Sequence, residues 1–208
     1  MSIFLREIKK PLLVTLTLLL ICGLAYPMLL TGASQVFFPK QANGSLVTVD
    51  GNAVGSELVG QDFTDTRFMK CRPSAVNYNT YTQEDKDNGD YTGIASGSKN
   101  YASTNPELSN RVQDDISEFL KSNPSVKVED IPTDLLTASG SGLDPHISPE
   151  SAAIQISALA EATGLSQDRL KEIVKENTQG KVLGIFGEET VNVLMVNLQI
   201  AKDLNLVK

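Results

Sequence analysis

The sequence has few of the side chains on which most metal and redox sites depend. Of 208 residues, one is a histidine (His146), two are cysteines and none is a tryptophan. One histidine excludes a site built from several histidines, and neither cysteine lies in a C-x-x-C pair or at zinc-ligand spacing. Aromatic residues make up only 6% of the chain, which argues against a platform for stacking bases or sugars.

Motifs of common catalytic sites are missing as well. There is no G-x-S-x-G nucleophile elbow and no Asp-Lys-Thr-Gly phosphorylation site. Residues 93–99 are rich in glycine and serine, but they lack the spacing and the Gly-Lys-Ser/Thr ending of a Walker A loop. Nothing in the sequence therefore points to catalysis by this chain.

Charge is missing from one long stretch, residues 11–30. A helix rises 1.5 Å per residue, so these residues would span about 30 Å, the thickness of the hydrocarbon core of a bilayer. We predict a membrane-spanning helix over residues 11–31, followed by a linker over residues 32–40. Pro11 would occupy the first helical position, where its missing amide proton is tolerated.

The flanking charges predict the orientation of this helix. Arg6, Lys9 and Lys10 precede it, and the next basic residue is Lys40. The positive-inside rule then leaves residues 1–10 in the cytoplasm and residues 41–208 outside it. A cleaved signal peptide is the alternative, with small residues at 31–33 as the cleavage site. We favour a retained anchor, because the apolar run is longer than that of a signal peptide.

The predicted outer part is strongly acidic. Four basic residues and one acidic residue lie in the first 40 positions, which leaves 14 basic and 24 acidic residues, and a net charge of −10, beyond them. Such a domain repels nucleic acid and anionic lipid headgroups and attracts cations. Solubility is the simplest explanation of the charge.

Local patterns predict an α+β fold for the outer part. A strand–turn–strand pattern at residues 46–59 indicates a hairpin, and residues 73–104 form a long polar loop. Residues 135–138 are typical of a short buried strand. Helices are predicted over residues 106–121 with Asn105 as N-cap, from Ser148 to Gly164, from Ser166 onward, and over residues 188–204. For the last of these, a strand over residues 191–196 is the alternative.

An ordered series of short motifs gives the chain a family resemblance. The series comprises residues 41–46, 55–63, 72–75 (Arg-Pro-Ser-Ala), 104–108, 136–149, 183–188 (Leu-Gly-Ile-Phe-Gly-Glu) and 191–194. In this order, behind one N-terminal span, the chain closely resembles KdpC, the C subunit of the bacterial K⁺-transporting P-type ATPase.

The resemblance implies a non-catalytic accessory subunit in the cell membrane. Its partners would be a channel-like K⁺-binding subunit (KdpA), the P-type ATPase subunit (KdpB) and a small one-helix subunit (KdpF), with the lipid bilayer around the span. Potassium would be carried by the partner. KdpC is held to stabilise the complex and to raise the ATP affinity of the ATPase subunit, so ATP is attributed to the family. The alternative is a stand-alone, membrane-anchored binding or sensor domain.

One segment stands out as a site for a nucleotide or a partner. Small residues expose backbone amides before a predicted helix start, where anions are attracted. Its candidate contact residues are Ser139, Gly140, Ser141, Gly142, Asp144, His146 and Ser148. A tight turn that docks the helix is the simpler reading, which we favour. Arg72 and Asn105 are candidate interface residues, and an internal salt bridge is equally compatible with Arg72.

Overall fold

The computed structural model describes residues 2–89, 91 and 93–207. Contacts divide the chain into two compact units, with the boundary between Leu46 and Val47. The two units are described separately below.

The first unit is dominated by one long helical stretch. Helix α1 (Ser2–Leu20) continues through a π-helical turn (Ile21–Ala25) into α2 (Tyr26–Phe37), and a short α3 (Pro39–Ala42) follows. The part from Glu7 to Phe37 has a mean hydropathy of 2.3, and none of its most apolar window is buried within the protein. Its length and composition fit a membrane span, so the predicted long apolar helix is confirmed.

The bounds of this helix differ from the predicted ones. Pro11 lies inside α1 rather than at its first turn, and helical structure continues to Phe37, into the predicted linker. Pro27 lies just after the π-helical turn and cannot donate to the carbonyl of Gly23, so the wider turn accommodates its ring. Which of these residues lie within a bilayer stays a prediction.

The predicted hairpin lies at the boundary, with all of its residues except Leu46 in the second unit. Strands β1 (Leu46–Val49) and β2 (Asn52–Ser56) form a two-stranded sheet. They are joined by Asp50 and Gly51, with φ angles of 49° and 81°. Two consecutive positive φ angles are typical of the type I′ turn that matches the twist of a hairpin.

The polar stretch that follows is mostly irregular, as predicted. It contains a short 3₁₀ helix (Asn77–Asn79) and the five-residue α4 (Gln83–Asp87), which starts with a capping box formed by Thr82 and Asp85. The acidic run at residues 84–90 lies partly in α4, and its last residue, Asp90, lies outside the described residues.

Helix α5 (Pro106–Ser122) confirms the prediction for this region, including Asn105 as its N-cap. Two 3₁₀ helices (Val128–Asp130 and Thr133–Leu135) follow. The strand predicted over residues 135–138 is wrong. Leu135 is buried as expected, but it ends a 3₁₀ turn in which the Thr137 hydroxyl donates to the carbonyl of Thr133. A local bond thus competes with sheet pairing.

The remaining elements complete the α+β unit. In chain order they are β3 (His146–Ile147), α6 (Pro149–Ala153), α7 (Ile156–Thr163), α8 (Gln167–Glu176), β4 (Thr178–Gln179), β5 (Thr190–Asn192) and α9 (Val193–Asp203). The three strands form an antiparallel sheet in the order β3-β5-β4. The helix predicted from Ser148 is split in two, and the last predicted helix begins as a strand.

Two buried amides fix the segment that leads to Arg72. The Asn197 side chain accepts from the Met69 amide at 2.7 Å and donates to the Met69 carbonyl at 2.9 Å. Gln155 accepts from the amide of Lys70 at 2.8 Å. Both side chains are almost completely buried, so these bonds replace contacts with water that the segment has lost. The N-cap of α7 and helix α9 therefore fix the backbone of residues 69 and 70, just before Arg72.

Candidate functional site

The candidate contact residues lie in one loop, residues 139–148, which we call the signature loop. It connects the 3₁₀ turn at Leu135 with β3 and α6. The amide of Gly142 donates to the Ser139 hydroxyl at 2.9 Å, and the amide of Leu143 donates to the Ser141 hydroxyl at 3.1 Å. The two serines therefore bond to the loop's own backbone, as in a tight turn.

Glycine is required where other loops cross the signature loop. Gly142 has a φ of 67°, and a Cβ atom there would lie 2.6 Å from the carbonyl oxygen of Gly97. The Gly97 amide donates to the Ser141 carbonyl at 2.8 Å, and the Ser74 hydroxyl donates to the Gly142 carbonyl at 2.6 Å. Three segments of backbone thus meet more closely than side chains allow.

A second close approach lies on the other side of Asp144. A Cβ atom at Gly60 would lie 2.5 Å from the Asp144 carbonyl oxygen. The Gly60 amide donates to the Leu143 carbonyl at 2.8 Å. The signature loop is therefore braced by segments around residues 60, 74 and 97, which are distant from it in sequence.

Arg72 joins the signature loop through a salt bridge. Its Nη1 atom lies 3.1 Å from Oδ2 of Asp144, and both side chains are about three-quarters buried. Oδ1 of the same carboxylate accepts from the His146 amide at 3.0 Å. Burial raises the pKa of Asp144, but the hydrogen bonds from His146 and the charge of Arg72 outweigh it, and the net pKa is lowered.

This geometry predicts a pH-dependent contribution of Asp144 to stability. Because its pKa is lowered on folding, the carboxylate stabilises the domain above its ordinary value of 3.8, and this stabilisation is lost as the pH falls through the lowered pKa. We expect Asp144→Asn to reduce the free energy of unfolding by about 1–3 kcal/mol at neutral pH. In denaturant titrations the deficit should be constant well above pH 3.8 and should shrink as the pH falls below 3.8 and through the lowered pKa.

Asp168→Asn is the control for this prediction. The Asp168 side chain is 95% exposed and lies 3.4 Å from Lys171 on the surface of α8. Its replacement should change the unfolding free energy by less than about 0.5 kcal/mol at any pH. An Asp144→Asn deficit that is the same at every pH would contradict the assignment to an ionised carboxylate.

Two other groups next to Arg72 are partly buried. The Tyr78 hydroxyl donates to the Arg72 carbonyl at 2.6 Å. Burial raises the pKa of the Cys71 thiol to about 12, and burial likewise raises the pKa of Tyr78. Cys71 is therefore protonated at neutral pH, which is the unreactive form of a thiol.

The helix start at Ser148 already carries an anion from the protein itself. The Ser148 hydroxyl accepts from the Ser151 amide at 3.1 Å, as a helix N-cap does. The carboxylate of Asp134 accepts from the Ser148 amide at 2.7 Å and also from the hydroxyls of Ser148 and Ser151. An internal carboxylate therefore occupies the position where a phosphate would bind.

The candidate interface residues and candidate loop residues have different surroundings. Asn105 caps α5 by accepting from the Glu107 amide at 2.9 Å, whereas Arg72 bonds directly to the signature loop. Gly140 and Ser141 are exposed, His146 is half-buried, and Ser139 and Gly142 are buried. Gly140 and Ser141 therefore remain available to a partner on the surface.

Two cavities flank the Arg72–Pro73 segment. One, of about 310 Å³, is lined by the cations Lys99 and Arg111 together with Ser74 and Thr137. The other, also about 310 Å³, contains the carboxylates of Asp62, Asp115 and Glu118 as well as Lys70 and Arg72. Arg111 and Asp115 form a 3.1 Å salt bridge along α5. The surface around the signature loop is thus indented and carries both signs of charge.

Several residues of this site had no signal in the sequence, or only a partial one. Gly60 and Ser74 lie in motifs of the family resemblance and Gly97 lies in the long polar loop, but their contacts with the signature loop are long-range. Asp134 had no signal at all. Among the described residues, no cluster of three or more His, Cys, Asp or Glu side chains is arranged to hold a metal ion.

Comparison with known proteins gives a consistent result over nearly the whole chain. The family model described as "K+-transporting ATPase, c chain" (KdpC) matches residues 8–202. A protein of Clostridium kluyveri named potassium-transporting ATPase KdpC subunit is 74% identical over 99% of this chain and 98% of its own length. KdpC subunits of Clostridioides difficile and Caldanaerobacter subterraneus are 60% and 45% identical, over 97% and 96% of this chain and 100% and 96% of their own lengths.

Proposed function

Because this chain belongs to the KdpC family and is a subunit of the K⁺-transporting ATPase, we propose that it holds that complex together from outside the cytoplasm. Membership in the complex replaces the alternative of a stand-alone sensor. In the proposal, the N-terminal helix anchors the chain among the membrane-embedded partners. The acidic domain, residues 41–208, contacts their extracytoplasmic surfaces.

The observation that carries the proposal is the internal bonding of the signature loop. The amides of Gly142, Leu143, His146 and Ser148 all donate to oxygens of this chain. A nucleotide bound there would have to displace these bonds, including the carboxylate of Asp134. The same bonds make the loop a rigid part of the surface, which suits a protein contact.

The partners follow from the family resemblance. They are the channel-like K⁺-binding subunit, the P-type ATPase subunit and the small one-helix subunit. We propose that this chain supplies no catalytic residue, and that its effect on the ATP affinity of the ATPase subunit is transmitted by assembly. The exposed part of the signature loop (Gly140 and Ser141) and Arg72 are the proposed contact residues, and potassium passes through the partner.

The charge pattern supports the proposed orientation. Lys9 and Lys10 lie before the apolar helix, and the domain after it is acidic. The apolar helix itself carries no charged group between residues 11 and 30, so it provides no path for an ion.

A reporter at the C-terminus tests the orientation. Alkaline phosphatase fused after residue 208 should be active in intact cells, because it folds only outside the cytoplasm. The same enzyme fused directly after residue 10 is the control and should be inactive. The opposite pattern would contradict the proposed orientation. Labelling of Cys71 is a weaker test, since burial keeps its thiol protonated.

Co-purification tests the assembly. The affinity-tagged chain, extracted from membranes of potassium-starved cells in mild detergent, should carry the other subunits in fixed proportion. Recovery of the chain alone would overturn the proposed function.

A further inference from the structure

The second unit presents a small apolar surface at the end of the β4–β5 connection. Four large apolar side chains follow one another there with only Gly184 between them. Their exposed fractions are 65% for Val182, 83% for Leu183, 75% for Ile185 and 63% for Phe186. We call residues 182–186 the apolar tip. It overlaps the motif at residues 183–188, which lies outside the signature loop and has no part in the contact proposed for that loop.

The apolar tip has a defined backbone structure. The amide of Val182 donates to the Phe186 carbonyl at 2.9 Å, and the Phe186 amide donates to the Val182 carbonyl at 3.0 Å. Leu183 and Gly184 have φ angles of 55° and 74°, and a left-handed conformation is unfavourable for leucine. The backbone therefore holds the apolar side chains outward, where they make little contact with the domain.

The base of the tip is tied to the core and to the signature loop. Val191 of β5 is fully buried and pairs with Ile147 of β3, the residue that follows His146 in the chain. The Asn192 side chain donates to the Glu57 carbonyl at 2.8 Å, and the Val193 amide donates to the Pro145 carbonyl at 3.0 Å. The tip is thus connected, through β5, to the sheet that also contains the end of the signature loop.

The charged residues next to the tip indicate which kind of surface can cover it. Glu188 and Glu189 follow it and are exposed, whereas Lys181 precedes it. Segments that bind an anionic membrane surface carry clusters of basic residues, whereas the tip is followed by two carboxylates and preceded by a single lysine. An anionic lipid surface is therefore a poor match.

Shape and size argue against a second copy of the chain. A convex tip on one copy cannot enclose the same tip on a second copy. The tip also offers only of order a few hundred Å² of apolar surface. A specific dimer buries about 800 Å² on each partner. The tip fits better as an anchor within a larger contact, where a few apolar side chains in a pocket supply much of the affinity.

We propose that the apolar tip inserts into a concave apolar pocket, bordered by basic residues, on the extracytoplasmic surface of another subunit of the K⁺-transporting ATPase. The inference rests on the proposed function and adds the surface and the chemistry of the contact. Ile185 and Phe186 are the anchoring side chains, and Glu188 and Glu189 face the basic border.

The double variant Ile185→Ser/Phe186→Ser tests the inference in the intact complex. Its recovery with the other subunits in detergent should fall about tenfold or more relative to wild type, since two anchoring side chains are lost. Both side chains are mostly exposed, so thermal unfolding of the chain alone should be unchanged. The control is Val128→Ser, at an apolar position that is 50% exposed in a 3₁₀ helix. It should assemble like wild type.

Photo-cross-linking from Leu183 identifies the occupant. With benzoylphenylalanine at this position in an otherwise wild-type chain, irradiation of membranes that contain all subunits should give an adduct with the mass of this chain plus another subunit. An adduct with lipid alone, an adduct with a second copy or no adduct would overturn the inference. If wild type co-purifies and the double variant does so equally, only the inference fails. If wild type itself does not co-purify, the proposed function fails.

Discussion

Replacing Gly142 by valine should unfold the signature loop and reduce recovery of the complex to a small fraction of the wild-type level. The new Cβ would lie 2.6 Å from the Gly97 carbonyl oxygen, which belongs to backbone and cannot swing away. The φ of 67° is also unfavourable for a β-branched residue. Together these effects should cost about 3–5 kcal/mol of stability, a large part of that of an ordinary domain.

Gly140→Val is the matched control for this change. Gly140 lies two residues earlier in the same loop, and a Cβ atom there would meet no other heavy atom within 4 Å. Thermal unfolding should therefore be close to that of wild type, and any loss of assembly would come from the altered surface alone. Equal recovery of wild type and Gly142→Val would contradict the structural role of the crossing at Gly97.

Deleting the whole chain should abolish K⁺-stimulated ATP hydrolysis by the remaining subunits. In our proposal the chain connects partners that must move together, so its loss uncouples K⁺ binding from the ATPase subunit. The measurement is phosphate release by detergent extracts with and without K⁺, after affinity purification through the ATPase subunit.

Complementation and the isolated chain are the controls for the deletion. Expression of the chain from a plasmid should restore the K⁺-stimulated activity. The purified chain alone should hydrolyse no ATP, and hydrolysis that survives further purification would contradict its accessory role. Full K⁺ stimulation without the chain would contradict the role in assembly.

The sequence predicted those parts of the fold that are determined by residues close together in the chain. An uncharged run long enough for a bilayer predicted the N-terminal helix, and Asn105 followed by Pro106 predicted the start of α5. The Asp-Gly pair at residues 50–51 is compatible with few structures other than a hairpin turn. In each case neighbouring residues determine the outcome.

Where distant residues decide, the sequence was less informative. Leu135 is apolar and buried, as the sequence indicated, but the 3₁₀ turn that contains it depends on Pro132 and Thr137 rather than on a neighbouring strand. Strand β5 is three residues long and owes its existence to partners in β3 and β4. For so short a segment, apolar periodicity does not separate a strand from the first turn of a helix.

The candidate site shows the same division. The run of small residues indicated a tight turn, and the turn is present. The choice between a nucleotide and a structural turn depended on Asp134, whose carboxylate is placed at Ser148 by the fold. Nothing near Asp134 in the sequence indicates this role.

The KM for ATP of assembled complexes that carry the Gly140→Val, Gly142→Val or wild-type chain tests the central claim most directly. If the chain acts through assembly, the complexes that do form should share one KM, and total activity should fall only in proportion to recovery. A Gly142→Val complex that assembles in full yield with a raised KM for ATP would contradict the account and assign the signature loop to the nucleotide.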